Sequence, residues 1–166
     1  TEVAEVSTAV QVVTKKAVQK AGSVSGMDPA AAIQSATKNA VKGLGQTNLS
    51  AAEVTATLST TVKTVVDSLD EVEGETKMDL STVAAQVATS SIEGLADLHK
   101  TCAEDAEFLS AATKSIASGA TEGAGELVAA KTALDLGATI GALSKNTAAA
   151  LGKLTTDATV LETLSK

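Results

Sequence analysis

The sequence predicts an all-α fold: a bundle of five to seven helices with a long C-terminal helical segment, built from degenerate helical repeats within a single domain spanning residues 1–166. Three observations carry that expectation. Apolar residues return every three or four positions along almost the whole chain, the period of a helix with one buried face. Glycines and acidic or amide residues punctuate this pattern where helices would start and stop. The chain also has no Trp, no Tyr, one Phe and one Pro, so burial has to come from many small Ala, Val and Leu contacts between closely packed helices. A chain of this size buries roughly 70% of the surface its unfolded form exposes, enough for one core.

The first helix is expected from about Glu2 to Ala21, with Val3, Val6, Val10, Val13 and Ala17 on one face and Gly22 and Gly26 behind it. Asp28 then caps a second helix whose first residue is Pro29, where a missing N–H costs nothing. Its expected buried stripe is Ile33, Ala36, Ala40 and Leu44, closed by Gly43 and Gly45. Asn48 is expected to cap the third helix; Glu53 lies too far from it for a capping box. The stripe there is Val54, Leu58, Val62, Val65 and Leu69, reaching about Asp70. Asp79 caps a fourth helix with Leu80, Val83, Val87, Ser91, Leu95 and Leu98 inward, ending near Thr101. A fifth is expected from about Ala103 to Ser118, carrying Phe108, Leu109, Ala112 and Ile116.

Beyond Gly119 the pattern loosens through Gly123 and Gly125 and resumes at Leu127, Ala130 and Leu134. From Leu136 a heptad-like series follows: Ile140, Leu143, Thr147, Ala150, Leu154, Ala158 and Leu161. It makes one long helix, or two broken near Thr155-Thr156-Asp157. Gly119-x-x-x-Gly123 and Gly137-x-x-x-Gly141 have the spacing of close helix approach in membranes; in water they read first as ordinary small-residue packing or helix breaks.

Counted from Glu5, Asp28, Asn48 and Asp79, a small residue followed by a β-branched one thirteen or fourteen places on recurs as Ala17-Val18, Ala40-Val41, Thr61-Val62 and Ser91-Ile92, with Gly43-Leu44 and Gly94-Leu95 shared by two segments. The openings are 23, 20 and 31 residues apart, too uneven for a regular solenoid. Duplicated helices in a compact bundle fit better. High Thr and Ser content weakens local helix propensity, so packing has to supply the stability.

The formal charge of −7, from 13 Lys and 20 acids with no Arg, argues against nucleic acid and against anionic membranes as partners. No run approaches the eighteen or so apolar residues of a membrane span. Cys102 stands alone and makes no internal disulfide. The chain opens Thr1-Glu2-Val3 without Met or a basic, then apolar, leader, as a processed or trimmed chain would. Avoidance of costly aromatic, His and Arg residues fits a protein exported in bulk, so an extracellular or cell-surface location is expected, although an abundant cytoplasmic protein would share that bias.

Few side chains suit chemistry. His99 and Cys102, three apart, would share a helix face, but one nitrogen and one sulfur fall short of a zinc or copper site; a small buried Cys102 and a His99 supporting a helix C-terminus are the simpler expectation. Asp70, Glu71, Glu73, Glu75 and Asp79 form the densest acidic cluster and offer oxygen ligands for weak calcium binding, without EF-hand spacing, since Gly74 at the sixth position would put Leu69 first and Leu80 twelfth. Lys15, Lys16 and Lys20 make a small basic patch able to meet acidic surface on a neighbouring copy, or simply a solvated face. No glycine loop followed by Lys-Ser/Thr occurs, and the Gly119–Gly125 glycines lack a preceding strand, so no cofactor and no enzymatic activity are expected.

The expected function is therefore that of a secreted or surface structural protein that binds copies of itself through small-residue helix faces, as a homo-oligomer or filament subunit. The alternative is an amphipathic-helix protein binding a lipid or other apolar surface, against which the scarcity of aromatic anchors counts. A third class, a small-molecule-binding or enzymatic bundle, would have its pocket near His99, Cys102 and Phe108, where the rarer side chains gather.

Overall fold

The computed structural model describes residues 2–73, 78–102, 106–130 and 134–154. Within them the chain is all α: α1 (Glu2–Lys20), α2 (Pro29–Leu44), α3 (Ala51–Asp67), α4 (Leu80–Cys102), α5 (Ala106–Ala130) and α6 (Leu136–Leu154), with 3₁₀ turns at Ala21–Ser23 and Ser68–Glu71. The expected break at Thr155-Thr156-Asp157 and the positions Ala158 and Leu161 lie outside the described residues.

The starts of α2, α3, α4 and α6 each have a local cause. Asp28 accepts a hydrogen bond from the Ala30 N–H at 3.1 Å with Pro29 at the first helical position. Gly26, at φ +78°, makes the left-handed turn that ends the α1–α2 connection. The cap of α3 is Ser50, two residues later than expected. Its hydroxyl accepts from the Glu53 N–H at 3.4 Å, while the Glu53 carboxylate accepts from the Ser50 N–H at 2.7 Å. This is the reciprocal capping box that Asn48 was too distant to make, and it holds the Glu53 carboxyl below its ordinary range. Asp79 caps α4 as expected, accepting from the N–H groups of Ser81 and Thr82 at 3.1 and 3.2 Å. Asp135 does the same for α6 through the Ala138 N–H.

The odd-numbered helices form one row, α1 on α3 and α3 on α5; the even-numbered ones form another, α2 on α4 and α4 on α6. One apolar cluster joins all six helices, from Val18 through Ile33, Leu58, Leu95 and Leu127 to Leu143. The α3 stripe of Val54, Leu58, Val62, Val65 and Leu69 is buried as expected. In α1 and α2 the buried face is rotated. Thr14 and Val18 go inward in place of Val13 and Ala17, and Thr37 and Val41 in place of Ala36 and Ala40. The threonines tolerate burial because each hydroxyl donates to a carbonyl one turn back, Thr14 to Val10 at 2.6 Å and Thr37 to Ile33 at 2.8 Å. Val41 and Val18 then bury more apolar surface than alanines would.

The largest departure is α5. Expected to stop at Ser118, it runs unbroken through Gly119, Gly123 and Gly125 to Ala130. Gly119 and Gly123 mark where α5 lies directly on the α3 backbone: a methyl group at Gly119 would collide with the Ser59 carbonyl, and one at Gly123 would fall 2.7 Å from the Lys63 carbonyl oxygen. Contact with α3 supplies what the glycines lose in helix propensity. The other spacing behaves differently, since Gly141 has no neighbouring atom within 4 Å of where its Cβ would be.

Candidate functional site

The acidic segment is bound to the first helix. Glu71 accepts from the Lys15 ammonium at 3.0 Å and from the Gln19 amide at 2.6 Å. Glu73 accepts from Lys20 at 2.6 and 2.8 Å, and its own N–H donates to the Gln19 carbonyl at 2.8 Å. These lysine hydrogen bonds hold both carboxyls below the ordinary glutamate range. Asp79 is spent on the α4 cap, Asp70 is half-buried in the 3₁₀ turn, and Glu75 lies outside the described residues. No three His, Cys, Asp or Glu side chains converge as a metal site among the described residues. The expected calcium ligands are thus separated into a helix cap and two partners of lysine, and Lys15 and Lys20 meet acids of their own chain.

His99 and Cys102 lie on the last turns of α4, with side chains outside the described set. Phe108, at the start of α5, is buried and lines a shallow cleft with Ala51, Ala52, Thr55, Glu107 and Ala111. A charged group that the sequence did not single out lies where α2 and α4 cross: Lys38 stands 3.6 Å from Glu93 and 4.0 Å from Asp97, beside a cleft of about 210 Å³. The signal for it was Lys38 on one helix and two acids flanking Gly94 on another. Among the described residues no His or Cys lines it.

What the rotation of α1 leaves outside is an apolar face. Val13 is 68% exposed and Val12 55%, with Ala9, Thr8, Glu5 and Lys16 exposed around them. On one flank Ala9, Val10 and Val13 join Asn39, Ala40 and Gly43 of α2 in an almost wholly apolar groove of about 300 Å³. On the other, Ala4, Glu5, Thr8, Ala9 and Val12 line an open depression. Among the described residues no helix is long and apolar enough to cross a membrane. No protein-family model, curated protein or solved structure matches the chain.

Proposed function

We propose that this chain is a non-enzymatic structural protein, acting outside the cell or on its surface, that associates with copies of itself through small-residue helix faces to make an oligomer or filament. The observation that carries this reading is the exposed face of α1. A helix written with valines at three-four spacing turns Val12 and Val13 to solvent and keeps Thr14 for the core. Small apolar side chains permit close approach of a second helix and lose little rotamer entropy when covered. The clefts beside Lys38 and beside Phe108 are lined by no His or Cys among the described residues.

A lipid surface is a weaker fit, because the face has no aromatic anchor and carries Glu5 at one end. Negative-stain microscopy and light scattering over a concentration series test the proposal. Regular particles larger than the 16.4 kDa chain support it, and a monomer throughout that sediments with vesicles refutes it in favour of lipid binding.

A further inference from the structure

Along the exposed side of α1, Glu5, Ala9, Val12 and Lys16 follow one another at spacings of four, three and four, the seam of a helix that packs lengthwise on another. The seam is acidic at its N-terminal end, basic at its C-terminal end and apolar between. All four residues are exposed, and neither Glu5 nor Lys16 makes an ion pair among the described residues. The neighbouring lysines make direct ion pairs, Lys15 with Glu71 and Lys20 with Glu73, whereas Lys16 acts on those two carboxyls only as a nearby charge. Reversing this seam reproduces its own complement. In an antiparallel pair centred between Val10 and Gln11, Glu5 of each helix meets Lys16 of the other, and Ala9 meets Val12.

We infer that α1 is a homodimer interface, two copies of the chain joined by antiparallel α1 helices about a two-fold axis, with Glu5–Lys16 pairs at both ends and Ala9–Val12 contacts at the centre. The inference rests on the self-association proposed above and names the face and geometry. A parallel pairing would set Glu5 against Glu5 and Lys16 against Lys16, so charge selects the antiparallel one. The small Ala9 opposite the larger Val12 lets the two backbones approach. Such a contact is isologous and closed, so this face alone makes a dimer; any filament needs a second face. With 19 residues, α1 is about 28 Å long, which places the interface at the small end of specific contacts.

Sedimentation equilibrium of the full chain, with E5K, K16E, the E5K/K16E double variant and an equimolar mixture of the two single variants, tests this geometry. The wild type is expected to approach twice 16.4 kDa with rising concentration. Each single variant places two like-charged contacts in its own dimer and is expected to weaken association by about 10-fold or more. The double variant and the mixture both restore opposite charges and are expected to dimerise like the wild type. Circular dichroism checks that the exposed substitutions leave helicity unchanged. Single variants that associate like the wild type, or a double variant that fails to recover, would overturn the α1 geometry while self-association stands. A wild type that stays monomeric at every concentration, with or without binding to phosphatidylcholine vesicles, overturns both.

Discussion

Gly123 of α5 sits so close to Lys63 of α3 that a Cβ on the glycine would lie 2.7 Å from the lysine carbonyl oxygen. Gly94 of α4 stands in the same relation to Lys38 of α2, at the same 2.7 Å. The likeness extends outward. Three residues after each lysine a valine packs over the glycine, Val66 in one pair and Val41 in the other. Three residues after each glycine an acid faces the lysine, Glu126 at 2.6 Å and Asp97 at 4.0 Å. Extending the two offsets matches Ile33, Thr37, Val41 and Leu44 with Leu58, Val62, Val66 and Leu69, and Val87, Ser91, Leu95 and Leu98 with Ile116, Ala120, Ala124 and Leu127. Every one of these is buried. The α2–α4 and α3–α5 pairs are thus two copies of one crossing. Their register pairs Val41 with Val66, whereas the repeat counted from the caps pairs Val41 with Val62.

The crossing makes the glycines unequal. Gly123→Ala is expected to destabilise the chain by about 2 kcal/mol, because a new methyl group meets a backbone oxygen and Val66, neither of which can move aside cheaply. Gly141→Ala adds its methyl in open space within a helix and is expected to stabilise by roughly 0.5–1 kcal/mol. Thermal unfolding followed by circular dichroism should show shifts of opposite sign, each about 2–4 °C per kcal/mol. Equal effects at the two positions would contradict the close approach of α3 and α5.

The cap of α3 gives a second contrast. Ser50→Ala removes the acceptor of the Glu53 N–H and one donor to its carboxylate, at an expected cost of about 1 kcal/mol. Asn48→Ala, at an exposed loop position, is expected to change stability by less than about 0.5 kcal/mol. Urea denaturation of both variants distinguishes the two residues as caps.

How far the sequence carries can be seen at these same places. The α3 stripe was legible because its inward positions are Val and Leu, whose period is unambiguous. In α1 and α2 the period was legible but the face was not, since apolarity alone favours Val13 and Ala36 over Thr14 and Thr37. A threonine that bonds to its own helix backbone behaves as an apolar residue of similar shape, and sequence gives no sign of that bond. Likewise Gly119 and Gly123 read as breaks because glycine weakens an isolated helix, while the compensating contact comes from α3, some sixty residues earlier. The candidate face was half visible: Lys15, Lys16 and Lys20 stood out as a patch, but which of them turns outward depends on Glu71 and Glu73, far away in the chain.

The rotated face of α1 predicts a sharp difference between neighbours. Val18 is fully buried, so Val18→Ala is expected to cost about 2 kcal/mol through lost burial and the cavity left behind. Val13→Ala, at 68% exposure, is expected to leave unfolding of the monomer within about 0.5 kcal/mol of the wild type. Denaturation at low protein concentration measures both without contribution from association.

The lysine-bound acids give stability a pH dependence whose sign follows from their direction of shift. Glu71 and Glu73 are held below the ordinary value of 4.5 by Lys15, Gln19 and Lys20, and Asp79 below 3.8 by Thr82. A carboxyl depressed in the folded state contributes stability that is fully present above its unfolded value and is lost as pH falls through the folded one. Asp67 has the opposite sign: burial and then the nearby Glu126 carboxylate raise it, so its protonation on acidification favours the folded state. Depressed groups outnumber it, and the melting temperature is expected to hold from neutral pH to about 4.5 and to fall below that. Glu71→Gln with Glu73→Gln should flatten the fall, and Asp67→Asn should steepen it. Because these pairs lie at the surface, about 1 M salt should reduce the acid-induced change as well. A melting temperature that falls as steeply in the double glutamine variant as in the wild type would mean that the acidic segment does not depend on its lysine partners to stay on α1.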